Sequence, residues 1–128
     1  MVIKIFLLMV LCHIIEDFVL QTVWLSKFKQ KETWLKIFGK EELVKNGYEN
    51  DYLCALIIHS ASWSIMIMLP LMFMMDGSTY AILFTFVLNT IFHAITDDLK
   101  ANKKAINLWT DQTIHIVQIM VTLLIWLT

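Results

Sequence analysis

A chain of 128 residues is the size of one domain. Its hydrophobic share of 59% and mean hydropathy of +0.69 exceed what an ordinary soluble domain carries. A formal net charge of −1 excludes nucleic acid from the expected partners.

One proline and three glycines leave few turns, so the chain reads as all-α. A membrane crossing needs roughly 20 apolar residues. The first expected span runs over 2–25. Lys4 ahead of an apolar stretch resembles a secretory signal, but His13, Glu16, Asp17 and Gln21 interrupt the stretch and no small-residue cleavage site follows. The segment is therefore expected to be retained. The second span is 53–75, with Pro70 placed to kink it. Asp76, Gly77 and Ser78 make a tight turn into the third, 79–98. The fourth is 105–128, with Trp109 and Trp126 near its ends, as interfacial aromatics are. The expected fold is thus a polytopic membrane four-helix bundle forming a single domain, 1–128.

All ten basic residues are lysine, and nine of them lie in the loops after the first and third spans. The positive-inside rule places both loops in the cytoplasm and both termini outside. Within the first loop, Trp34, Leu35, Ile37, Phe38 and Leu43 form a loose apolar stripe between charged residues. An amphipathic interfacial helix over 31–46 is expected there. Cys12 and Cys54 sit in apolar runs and read as small buried hydrophobes without a disulfide. The five methionines of the second span read as packing or lipid-facing residues.

Each expected span carries one histidine: His13, His59, His93 and His115. Three of the spans add an acid four residues away: His13 with Asp17, His93 with Asp97, Asp111 with His115. Spacing of four puts both side chains on one helix face, and such a stripe faces the bundle interior rather than lipid. Gln21 extends the stripe of the first span. Asn89 does so for the third, and Gln118 and Thr122 for the fourth. Glu16 and Asp98 stand beside the stripes but off their faces. At about 1.5 Å rise per residue, the four histidines fall between roughly 8 and 18 Å from the lysine-rich face. A buried charge in hydrocarbon costs several kcal/mol unless it is paired or coordinated. Imidazole and carboxylate are ligands for zinc, manganese or iron. The expected ligands of a divalent metal, zinc foremost, are His13, Asp17, His59, His93, Asp97, Asp111 and His115. That set is large enough for two metals, or for one metal with supporting acids.

The runs H-x3-D-F-x-L-Q from His13 to Gln21, H-x3-D-x2-K from His93 to Lys100, and D-Q-x2-H from Asp111 to His115, with His59 between them, span nearly the whole chain in order. In these runs the chain resembles an uncharacterised family of small bacterial and phage membrane proteins. The resemblance marks Gln21, Lys100 and Gln112 as side chains supporting the ligands. It implies a bacterial inner membrane and, through phage relatives, a host membrane protein as a partner. A looser similarity is to membrane proteins described as metal-dependent hydrolases.

Three functions follow as expectations. The first is a membrane-embedded metal-dependent hydrolase that takes a lipid or lipid-phosphate from the cytoplasmic leaflet. There Asp17 or Asp97 acts as general base and Lys100 and Lys104 hold a lipid phosphate. The second is transport of a metal ion or protons, which the few polar residues of the outer half oppose. The third is a regulatory protein whose metal staples short helices together. Membrane lipid and a second copy of the chain are the remaining expected partners.

Overall fold

The computed structural model describes residues 1–128. The chain is all-α, and three of its helices are long and apolar enough to cross a membrane. In chain order the helices are α1 (Val2–Ile15), α2 (Val23–Phe28), α3 (Lys31–Phe38), α4 (Lys40–Asn46), α5 (Asp51–Met74), α6 (Thr79–Ala101) and α7 (Leu108–Leu127). The three long apolar helices are α5, α6 and α7.

The expected first span, 2–25, is not one helix. After α1 the chain widens into a π-helical segment, Glu16–Leu20, closed by the Gln21 N–H on the Glu16 carbonyl at 2.9 Å. It then breaks. Gln21 is extended, and the Thr22 hydroxyl accepts from the Leu25 N–H at 3.1 Å, which caps α2 as a new helix. A threonine at this point offers the backbone a cap in place of the next helical turn. The 14 residues of α1 rise only about 21 Å, short of a hydrocarbon core of about 30 Å.

The expected helix over 31–46 is likewise two helices. Gly39, at φ 75°, breaks it into α3 and α4. Their apolar side chains fold partly onto the chain itself. Trp24, Phe28, Trp34, Phe38 and Tyr48 stack or meet edge to face in succession, and Trp34 Nε1 donates to the Phe28 carbonyl at 2.7 Å. Leu43 is buried, while Leu35, Ile37 and Val44 stay exposed.

Two of the three long helices, α6 and α7, begin where side chains cap them. Ser78 accepts from the Ala81 N–H and Asn107 from the Thr110 N–H. α1, α5, α6 and α7 pack as successive neighbours around a shared interior. At the end away from the lysines, Ile5, Met9, Trp63, Ile67, Met68, Leu71, Ile119 and Leu123 form one apolar core. Toward the lysine-rich end the interior turns polar: all four histidines, Glu16, Lys29, Asp97 and Asp111 are buried. The outward faces of α1, α6 and α7 expose Leu7, Leu11, Val87, Ile91, Val117 and Leu124. Apolar outside with charge inside reverses the pattern of a water-soluble bundle and suits hydrocarbon surroundings.

Candidate metal centre

The i,i+4 spacing within each helix brings acid and imidazole together. His13 Nδ1 lies 3.4 Å from Asp17 Oδ2, His93 Nε2 3.8 Å from Asp97 Oδ2, and His115 Nε2 3.5 Å from Asp111 Oδ1. Helix packing then joins these pairs. His59 Nε2 on α5 stands 3.7 Å from Asp17 Oδ1, 3.4 Å from Asp97 Oδ2 and 3.2 Å from His93 Nε2. His115 Nε2 is 3.7 Å from Asp97 Oδ1. Asp97 is therefore the hub, within reach of three histidines.

Donor atoms of His59, His93 and Asp97 thus form a triangle with sides of 3.2, 3.4 and 3.8 Å. Ligands about 2.0–2.1 Å from a tetrahedral zinc are separated from one another by about 3.3 Å. Two groups can hold a metal ion: Asp17, His59 and His93, and His93, Asp97 and His115, with donors within 4.8 Å of one another. Sharing His93 makes them parts of one centre. Asp17 Oδ1 and His115 Nε2 are buried there without hydrogen-bond partners. Orphaned lone pairs are costly in a low-dielectric interior, and a cation satisfies them.

Five of the seven expected ligands meet in these groups; His13 and Asp111 are the two that do not. Both ring nitrogens of His13 are engaged. Trp63 Nε1 donates to Nδ1 at 2.8 Å, which leaves the proton on Nε2 for Gln112 Oε1 at 3.1 Å. Asp111 Oδ2 accepts from Lys100 Nζ at 2.7 Å and from Gln112 Nε2 at 3.0 Å. Gln112 thereby links His13 to Asp111, and Lys100 neutralises a carboxylate that is fully buried. These contacts orient the donors next to them, as outer partners do in metal sites. Gln21 Nε2 has no partner.

Two residues of the centre escaped the sequence reading. Trp63 stacks on His93, with centroids 4.2 Å apart, besides donating to His13. Its signal is the spacing of four from His59, the same step that pairs the acids. Lys29 is buried, with Nζ 2.5 Å from Asp97 Oδ2. In sequence it is one of six lysines in a loop, and nothing local separates it from the others. Glu16, beside the stripe of the first span, turns inward, and its carboxylate accepts from Ser62 Oγ on α5 at 2.6 Å. Asp98 meets Asn102 and Lys103 at the lysine-rich end.

Further from the lysines, a second polar knot ties α6 to α7. Gln118 Nε2 and Thr122 Oγ1 both donate to Asn89 Oδ1 at 2.9 Å. At the lysine-rich end itself, Gln21, Ser26, Lys29, Gln30, Asp97 and Lys100 line most of a cavity of ≈ 310 Å³. Asp97 thus reaches both the centre and this cavity. Comparison of the chain with protein-family models, with curated proteins and with solved structures finds no match, so the family resemblance rests on the motifs alone.

Proposed function

We propose that this chain is a membrane-embedded, metal-dependent hydrolase that takes a lipid or lipid-phosphate substrate from the cytoplasmic side. The observation that carries the proposal is the convergence of Asp17, His59, His93, Asp97 and His115 beside a polar cavity at the lysine-rich end. In this reading α1 with its π segment, α5, α6 and α7 are four membrane crossings in a bacterial inner membrane. The lysine loops face the cytoplasm and both termini lie outside. α3 and α4 rest at the inner surface, with Leu35, Ile37 and Val44 toward lipid.

His93 and Asp97, joined by His59 on one side and His115 on the other, would hold the ion, zinc foremost. A bound divalent ion supplies Lewis acidity and a water of lowered pKa. Asp17, whose Oδ1 is buried without a hydrogen-bond donor, is the carboxylate placed to serve as general base beside an ion held there. Lys100 and Gln112 hold Asp111 in place. The apolar core beyond Trp63 keeps water from the far half of the bundle. That core also opposes a through-path and favours hydrolysis over transport.

Metal analysis of the purified full chain tests the reading, followed by turnover of phosphorylated lipids. One divalent ion per chain and turnover lost in His93→Ala are expected. A chain that neither retains an ion nor takes up added zinc sinks the proposal. Donors drawn from three separate long helices also suit a structural staple. Collapse of helical structure on chelation, with no turnover at any stage, favours that second reading.

A further inference from the structure

The cavity beside the centre is rich in hydrogen-bond donors. Lys29, Lys100, Ser26 and Gln21 line it, with the two ammonium groups resting on Asp97 and Asp111 and the Gln21 Nε2 without a partner. Lys29 is the most confined of them at 9% exposure. Its Nζ sits on Asp97 Oδ2, the oxygen that also stands 3.4 Å from His59 Nε2 and 3.8 Å from His93 Nε2. An ion seated in the triangle of His59, His93 and Asp97 therefore competes with the ammonium for that oxygen. Repulsion between an ammonium and a doubly charged ion a few ångströms apart is strong away from bulk water. The Lys29 backbone is anchored, since its carbonyl accepts from Asn102 Nδ2 at 3.1 Å. Its flexible four-carbon stem nonetheless lets Nζ swing into the cavity that it already lines.

Charge counting gives the direction of the exchange. Asp17, Asp97 and Asp111 set against Lys29 and Lys100 leave one formal negative charge while the imidazoles are neutral. A divalent cation reverses this to one formal positive charge, beside a cavity that Lys29 and Lys100 line. An anion with several acceptor oxygens completes such a site.

We propose that the cavity is a seat for a phosphate monoester and that Lys29 is a two-position counter-cation. It rests on Asp97 when the centre is cation-free, and on the phosphate when a divalent cation takes Asp97. This rests on the metal-centre reading above and narrows its substrate to a phosphate-bearing one. Cation and phosphate then tighten each other's binding by one common factor, as linkage requires.

Calorimetry on the full chain in detergent micelles tests the coupling. Zinc is titrated alone, inorganic phosphate alone, and phosphate into protein carrying equimolar zinc. Phosphate is expected to bind about tenfold more tightly to the zinc-loaded chain, within the usual range of coupling between sites. Lys29→Met is expected to bind zinc at least as tightly and to lose the enhancement, while Lys29→Arg keeps it. An enhancement that survives Lys29→Met places the phosphate on the metal alone and overturns the role of Lys29.

The unaltered chain supplies a second measurement that needs no variant. Amine acylation of Lys29, followed by mass spectrometry, is expected to speed up on adding zinc and to slow again on adding phosphate. An unchanged rate overturns the swing. If no zinc binds, the centre itself fails and the coupling with it. If zinc binds and phosphate affinity does not change, only the phosphate seat fails. Nanodiscs with and without phosphatidic acid identify the source. Competition with inorganic phosphate assigns the seat to a lipid headgroup, and its absence assigns it to free phosphate.

Discussion

The ion pair between Lys29 and Asp97 carries the most direct quantitative consequence. At 2.5 Å and an effective dielectric constant of about 20, the gross attraction is about 7 kcal/mol. Desolvation of both groups removes much of it, because their side chains are only 11% and 5% exposed. The net worth of the pair is therefore small, but breaking it is not. Asp97→Asn leaves a buried ammonium, and Lys29→Met leaves a buried carboxylate. Each is expected to cost about 3–5 kcal/mol. The double variant buries neither charge and is expected to lose no more than the worse single variant, giving a coupling of about 3 kcal/mol. The assay is unfolding in mixed micelles by increasing SDS, followed by helical circular dichroism, with a chelator present throughout. Strictly additive losses, or single losses below about 1 kcal/mol, would show the pair to be solvated and would refute the reasoning.

Zinc at 100 times its dissociation constant should stabilise the chain by about 2.7 kcal/mol, reversibly by chelator and not in His93→Ala; the same unfolding assay reads it. Trp63→Phe keeps the ring stacked on His93 but removes the donor to His13 Nδ1, 2.8 Å away. A loss of about 1–3 kcal/mol is expected, and no loss would mean that the bond does not form. A methyl group added at Gly77 runs into the Trp126 ring. Gly77→Ala should displace that ring from its bond to Thr85 Oγ1 and cost about 1–3 kcal/mol, again by unfolding. The exposed Glu32 carboxyl is held below its ordinary value, first by its hydrogen bond to Lys36 and then by Lys104. A depressed folded-state pKa stabilises above the unfolded value and ceases to do so as pH falls through the folded one. Carboxyl NMR should therefore show a midpoint below that of free glutamate, and salt should raise it.

Much of this molecule can be read along one dimension. Hydropathy marks α5, α6 and α7, and the step of four pairs His93 with Asp97 and Asp111 with His115 before any packing is considered. The interruption at Gln21 and Thr22 was harder to see, because the apolar run continues through both sides of it. Only the capping bond from the Leu25 N–H to Thr22 explains it. The segment over 31–46 divides for a similarly local reason, the positive φ of Gly39, which the surrounding stripe concealed. Lys29 was illegible for the opposite reason. Its partner Asp97 is 68 residues away, and its neighbours in the loop are lysines of the same kind.

The polar layer near the lysine-rich face follows the same division. Depth along a helix is counted in residues, so the sequence alone determined that the four histidines share a level and that acids accompany three of them. Rotation about each helix axis, and which helices become neighbours, depend on how side chains pack. The tertiary structure therefore decided that Asp97 is the hub, that Trp63 and Gln112 occupy both nitrogens of His13, and that Lys29 shares the Asp97 oxygen. Rise per residue is a property of the backbone, whereas the meeting of donor atoms is a property of the packed interior.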